Sequence, residues 1–162
     1  MDRGKTADNH ATCADDGTQG VQALFSIRDA CERDREAVDG FAFLEGMDAL
    51  PSLDHVRVAV DDEDEVVAFC RLTFDSNGIA YVNPIVTYPT WRGFGVGSAL
   101  IEDARERFGE LRLIARGNVA GFYERLGFTD LSWEEADLSA ASEDCENCPY
   151  RAECGPRPMR LP

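Results

Sequence analysis

The sequence predicts an α/β fold of the α+β kind: a central mixed, mostly antiparallel sheet flanked by helices. Three observations predict it. His55 to Val60, Glu65 to Phe74 and Ile79 to Thr87 are short runs rich in β-branched and aromatic residues, and Asn77-Gly78 between the last two is a strong hairpin signal. They form an antiparallel meander. A glycine-rich loop then leads into a run where Val96, Leu100, Ala104 and Phe108 recur every fourth residue, an amphipathic helix that packs on the sheet. A short strand at Leu111 to Ala115 and a second helix opening at Asn118 follow it.

The elements read in order as follows. Residues 1–20 are rich in Asp, Thr, Gly and Asn and read as a mobile tail, in which His10 and Cys13 belong to no motif. Val21 to Arg28 reads as a first strand. Asp29 opens a helix as its N-cap, with Glu32 in the capping-box position, and Gly40 ends it. Phe41 to Leu50 reads as a second short helix stopped by Pro51. In His55 to Val60, Val56, Val58 and Val60 share one face, and His55, Arg57 and Ala59 the other. Asp61 to Asp64 is an acidic turn. Pro84 cannot donate to a ladder, so it marks a bulge or an edge within its strand. In the long helix Asp103 and Arg107 form an i, i+4 pair on the wet face, and Gly109 ends the helix. Asn118 caps the next helix, and Gly127 closes it with Phe128 as the following hydrophobic contact. Thr129 to Leu138 reads as the last strand, carrying Trp133. The chain thus divides into a tail at 1–20, a domain at 21–138 and a cysteine-containing C-terminal tail at 139–162.

Composition limits the function. The chain has 162 residues, enough for one domain, and 44% of them are hydrophobic, enough for a core. Its formal net charge is -15, and Lys5 is the only lysine among 16 basic residues. No basic patch exists to neutralise phosphates, so nucleic acid is not the expected partner. No apolar run reaches membrane-spanning length and the N-terminus lacks a hydrophobic signal core, so a cytoplasmic protein is expected. In that compartment the six cysteines are expected to be free, metal-bound or redox-active rather than a disulfide framework.

The stretch Arg92-Gly93-Phe94-Gly95-Val96-Gly97-Ser98 has the chemistry of an anion site. Glycines let backbone approach a ligand, and the following helix turns its N–H groups and positive dipole end toward the loop. A dinucleotide fingerprint is excluded, because the third glycine comes one residue early and Gly117 stands where the acid should be. A P-loop is excluded because no lysine follows the glycines.

The arginine before the loop, the strand before it and the run from Asn118 to Phe128 together resemble the GNAT acyltransferase superfamily. Arg92, Gly95 and Gly97 match its [QR]-x-x-G-x-[GA] signature. Asn118, Phe122, Tyr123, Leu126, Gly127 and Phe128 match its second motif, an asparagine opening a helix that ends in F-Y-x-x-L-G-F. The resemblance covers roughly Leu24 to Asp137. It implies a sheet splayed between the fourth and fifth strands, with the pantetheine arm of acetyl-CoA in the gap. Pantetheine would pair with the backbone of Ile85, Val86 and Thr87, where one N–H could also hold the thioester oxygen. Arg92 and the backbone from Gly93 through Phe94, Gly95, Val96 and Gly97 to Ser98 would hold the phosphates, although Phe94 stands where many members carry a base. Asn118 is either a cofactor contact or only a cap. Tyr123 would protonate the departing sulfur. The implied reaction is acetyl transfer from acetyl-CoA to an amine of a small molecule or protein. No general base is assigned: Tyr81, Asn83 and Thr87 occupy the strand where some members place a glutamate, leaving a water chain or an acid such as Glu45. Many members dimerise, so a homodimer stays open. The acidic, lysine-poor composition is similar to that of haloarchaeal proteins, whose carboxylates are screened by molar salt.

Cys145, Cys148 and Cys154 lie beyond the resemblance and read C-x2-C-x5-C. Zinc or an iron–sulfur cluster wants four such ligands, and Cys13, Cys31, Cys70 or a partner chain could complete the set. Free surface thiols are the plainer reading. Two other functions stay open: an acyl-CoA-binding regulatory module with a metal- or redox-responsive cysteine tail, and a metal or redox factor built on an acetyltransferase scaffold.

Overall fold

The computed structural model describes residues 24–141 and 144–162. The expected tail at 1–20, with His10 and Cys13, and the start of the first strand lie outside the described residues. Seven strands form one sheet: β1 (Ser26–Asp29), β2 (Val56–Val60), β3 (Val66–Phe74), β4 (Ala80–Thr87), β5 (Leu111–Ala115), β6 (Thr129–Asp130) and β7 (Arg157–Leu161), in the order β1-β2-β3-β4-β5-β7-β6. All neighbours are antiparallel except β4 and β5. The expected meander is β2-β3-β4. Its hairpin closes as read, with Asp75 accepting from the Asn77 and Ile79 N–H groups and Gly78 at φ 80°.

The helices are α1 (Arg35–Leu44), α2 (Val96–Phe108), α3 (Ala120–Arg125) and α4 (Arg151–Cys154). α1 and α2 cover opposite faces of the sheet. Val38 and Ala42 of α1 pack on Val56, Val58, Val60, Phe69 and Val86. Leu100, Ile101 and Ala104 of α2 pack on Ala59, Ala68, Leu72, Val82 and Leu113. β2 is buried along its whole length because both its faces are covered. That is why Arg57, on the face opposite Val56, Val58 and Val60, lies buried and donates to Asp103 of α2 at 3.0 and 2.9 Å and to Asp29 at 3.0 Å. Asp103 therefore faces the sheet and does not sit with Arg107 on the wet face.

The first helical segment differs from its expected form. A 3-10 turn at Glu32–Asp34 leads into a single helix that runs through Gly40. The capping pattern sits two residues later than expected. Asp34 accepts from the Cys31 N–H at 2.8 Å, and its carboxylate also takes Arg28 donors at 2.7 and 2.9 Å. The buried Arg28 outcompetes Glu32 as the organiser of this turn, because a buried guanidinium needs a carboxylate.

The C-terminal region departs most. Only Thr129–Asp130 of the expected last strand is extended, and the chain then turns. The last strand is β7, inserted between β5 and β6, so residues 157–161 belong to the sheet rather than to a tail. Along β7 and β5, Leu161 pairs with Leu111 and Arg157 with Ala115. Met159 and Leu161 are buried, and this apolar alternation is what makes a strand. Trp133 lies in the intervening segment, with the Arg151 guanidinium 4.9 Å from its ring centroid. No helix among the described residues is long and apolar enough to cross a membrane.

Burial alone pushes the Asp34 carboxyl up, but the hydrogen bonds from Arg28 and the Cys31 N–H outweigh it and hold the group below its ordinary 3.8. The stability this gives is present above that value and lost as pH falls through and below it. Asp34→Ala should lower stability by about 3–5 kcal/mol at neutral pH. Denaturant titrations at about pH 5 and pH 3 should show the wild type losing more stability on acidification than the variant.

Candidate active site

The pairing of β4 with β5 consists of two steps, Ala80 with Leu111 and Tyr81 with Arg112. Beyond them the strands part and line a cleft of about 620 Å³. Its walls are Val82 to Thr87 on β4, Leu113 to Arg116 beyond and along β5, Gly97 of α2, and Phe122 and Tyr123 of α3. The expected bulge forms here: Cys70 pairs with Ile85 and Leu72 with Val82, so Asn83 and Pro84 lie together opposite Arg71. Pro84 offers no N–H to either neighbour, which suits a place where the ladder is broken.

Ile85, Val86, Thr87, Arg92, Gly97, Asn118 and Tyr123 are brought together as cleft-lining residues. β3 engages one edge of Ile85 to Thr87, leaving the other edge toward the gap. Gly93, Phe94, Gly95, Val96 and Ser98 shape the loop outside the cleft wall. Val96 is a core residue, and Phe94 is exposed and leans on Trp91, with ring centroids 5.7 Å apart. Gly95 is the N-cap of α2 at φ 77°, a backbone that residues with a side chain rarely adopt. At Gly97 the constraint is space, since a Cβ there would stand 3.3 Å from the Phe122 ring and 3.7 Å from the Thr87 hydroxyl.

Asn118 does not cap a helix. It lies within a 3-10 turn at Gly117–Val119, its side chain caps nothing, and α3 starts two residues later. Gly117 allows no displacement: a Cβ there would meet the Cys154 and Gly155 carbonyl oxygens at 2.9 Å. The helix end matches expectation. Gly127 donates to the Glu124 carbonyl and Phe128 to that of Tyr123, the Schellman pattern.

The Tyr123 ring is wedged between Phe122 and Phe128, centroids 5.1 and 5.4 Å away. Burial, with the Cys70 thiol nearby, pushes its phenol up to about 12. Burial, with Asp103 nearby, pushes the Cys70 thiol up to about 12 as well. Both groups therefore keep their protons at neutral pH. Among the described residues Glu45 supplies the only carboxylate in the cleft wall, and it is engaged: Arg92 donates to it at 2.7 Å and to the Thr87 carbonyl at 3.3 Å.

Asn83, Arg116, Phe122 and Ala141 also line the cleft and were missed as site residues. Phe122 sits inside a motif already read. Ala141 comes from the region taken for a tail, and no local signal marks it.

Cys145, Cys148 and Cys154 line a second cavity of about 650 Å³ that shares Ile114, Ala115, Arg116 and Asn118 with the cleft. Among the described residues no group of three or more His, Cys, Asp or Glu side chains could hold a metal ion. The spacing of the three cysteines does not bring a zinc or iron–sulfur ligand set together: Cys145 is buried, Cys148 is exposed and Cys154 ends α4. Cys70, Cys148 and Cys154 are free thiols, whereas Cys31 is disulfide-bonded, a state composition did not predict.

Residues 52–130 match the model of the acetyltransferase (GNAT) domain, just under half of the chain. No curated protein matches the sequence. Among solved structures, a GNAT-family acetyltransferase from Staphylococcus aureus Mu50 superposes with a TM-score of 0.63 at 12% identity, over 84% of this chain and 97% of that one. N-acetylglutamate synthase from Neisseria gonorrhoeae, solved with coenzyme A and N-acetyl-glutamate, gives 0.64 at 18% identity, over 86% of this chain and 35% of that one. Naa50 from Arabidopsis thaliana, solved with the bisubstrate analogue CoA-Ac-MVNAL, gives 0.58 at 15% identity, over 86% and 99%. At these identities the likeness is one of fold, and the fold is the GNAT fold. The matched stretch is similar to an acetyltransferase domain, and the Staphylococcus aureus neighbour is an acetyltransferase.

Two results test this geometry. Glu45→Gln frees Arg92 and should tighten acetyl-CoA binding by up to about fivefold in dilute buffer, an effect that calorimetry should find erased in molar KCl. Raised thiol and phenol values mean that the native state holds protons the unfolded chain releases. Stability should therefore fall as pH rises from about 9.0 toward about 12, and Cys70→Ala should flatten that slope in denaturant titrations.

Proposed function

We propose that the protein is an N-acetyltransferase that moves the acetyl group of acetyl-CoA to a primary amine of a small molecule or protein, by direct attack in a ternary complex. The parting of β4 from β5 beside a glycine loop and a protonated tyrosine carries this reading. The phosphates lie against Arg92 and the start of α2, where backbone N–H groups and the helix dipole favour anions. The pantetheine amides take the free edge of Ile85 to Thr87 as an added strand would. This sets the thioester at the closed end of the gap, near Tyr123.

The neutral amine attacks the thioester carbon, and the carbonyl electrons move to oxygen. The oxyanion then collapses, the carbon–sulfur bond breaks, and the thiolate takes the Tyr123 proton. The ammonium nitrogen loses a proton to water, and the phenolate recovers one. Among the described residues the one wall carboxylate, Glu45, is engaged by Arg92, which favours water as the proton acceptor. The second cavity opens on the same wall, and Asp144 and Glu153 there suit a cationic acceptor. The acidic, lysine-poor surface suits a high-salt cytoplasm.

CoA release with a panel of amines and peptides, followed by chromatography in molar KCl, tests the proposal. Turnover with one acceptor class is expected. Tyr123→Phe should lower kcat by about 10²–10⁴-fold and leave acetyl-CoA affinity unchanged. Tight acetyl-CoA binding without turnover on any amine would contradict it.

A further inference from the structure

Asn83 is the one described residue with a fully buried side-chain nitrogen or oxygen that lacks a partner: its Nδ2 makes no hydrogen bond. Native structures rarely leave a buried donor unsatisfied, and such an atom commonly marks a place reserved for something else. The position is unusual too. Asn83 lies two residues past Tyr81, the last β4 residue paired with β5, and it lines the cleft where the walls begin to part. The bulge keeps it out of the β3 register as well. Its carbonyl is the partly engaged end of its backbone, taking an Arg71 donor at 3.4 Å.

The order of groups along the cleft says what arrives there. Arg92 and α2 mark the open end, Thr87 to Ile85 form the flank, and Asn83 stands toward the closed end. A donor that lays its phosphates on the first and its amide arm on the second brings its acyl carbonyl to the third. The side chain is half-buried. A half-turn about χ2 exchanges the two ends of the amide without changing its shape, so the N–H₂ can turn to an incoming oxygen.

We propose that Asn83 is a catalytic residue for acyl transfer whose side-chain N–H donates to the thioester carbonyl oxygen and strengthens its hold as that oxygen becomes the oxyanion. This rests on the acetyltransferase reading above. As the amine nitrogen bonds to carbon, the carbonyl electron pair moves onto the oxygen facing Asn83. When the pair returns, the carbon–sulfur bond breaks and the sulfur takes the Tyr123 proton. The amide itself gives up no proton. A donor held without a partner in the resting protein loses no protein hydrogen bond when it turns to the substrate, so the turn on binding sacrifices no existing bond.

The test uses the full chain with two substitutions, Asn83→Ala and Asn83→Asp. The second keeps the shape but removes the N–H₂ donor. Both should lower kcat by about 10²–10³-fold while the KM for acetyl-CoA stays within about twofold. Neither Asn83→Ala nor its parent should melt below the other by more than a degree or two, since the alanine removes an unsatisfied donor and not a bond. Infrared difference spectra of carbonyl-labelled acetyl-CoA give a readout independent of turnover: the carbonyl stretch should lie lower on the wild type than on Asn83→Ala. An unshifted stretch, an unchanged kcat, or a loss confined to KM would overturn the role of Asn83. A shifted stretch with no turnover on any amine would keep that role as a carbonyl contact and sink the acetyltransferase reading instead.

Discussion

The sheet is continuous through seven strands, yet only two residue pairs, Ala80 with Leu111 and Tyr81 with Arg112, join its two halves. Everything that makes this fold useful follows from that short seam. A longer parallel ladder would seal the gap, and a missing one would let β5, β7 and β6 drift from the rest. The seam is braced on both faces. On one, α2 lays Leu100, Ile101 and Ala104 across both halves. On the other, the fully buried Tyr81 packs with Ala140, Ala141 and Ile114, and its hydroxyl accepts from the Asp137 N–H at 2.9 Å. The segment after β6, which carries no regular structure across this contact, is thus a wedge beneath the cleft.

Charge is arranged to match. In a protein with a net charge of -15, the proposed anionic donor would meet a local positive site, Arg92 and the start of α2, rather than a basic face, and Arg92 is held beside the loop by Glu45. The buried pairs serve another purpose. Arg57 ties β2 to α2 and β1, and Arg28 ties β1 to the turn before α1. Each positions an element that carries a wall of the cleft or supports one, and each would be strongly destabilising if halved.

Much of this was legible in the sequence, and unevenly so. Local chemistry reads well: Asn77-Gly78 can hardly be other than a turn, Pro84 breaks a ladder wherever it stands, and Gly109 and Gly127 mark helix ends by their backbone needs. Leu111 to Ala115, read as a short strand after the Gly109 helix end, is the strand the structure shows. What failed depends on partners distant in sequence. The burial of Arg57 is not visible until α2 covers it, and Asp34 replaces Glu32 as the capping acid only because Arg28 is buried beside it. β7 is five residues with a proline, too short to read as a strand without β5 beside it. The same limit governs the site. The loop and Tyr123 stand in motifs, whereas Asn83 gains meaning only from the way two strands part around it, and the cysteines, which had a motif, gain no ligand set among the described residues.

The central claim is that the gap between β4 and β5 receives the amide arm of acetyl-CoA as an added strand. Hydrogen exchange of the backbone amides from Val82 to Thr87 and from Leu113 to Arg116, with and without acetyl-CoA, tests it most directly. The account predicts slower exchange at Ile85 to Thr87 on binding, with little change in the β2–β3 ladder. Saturating acetyl-CoA that leaves β4 exchange untouched, or protects a different surface, would contradict it.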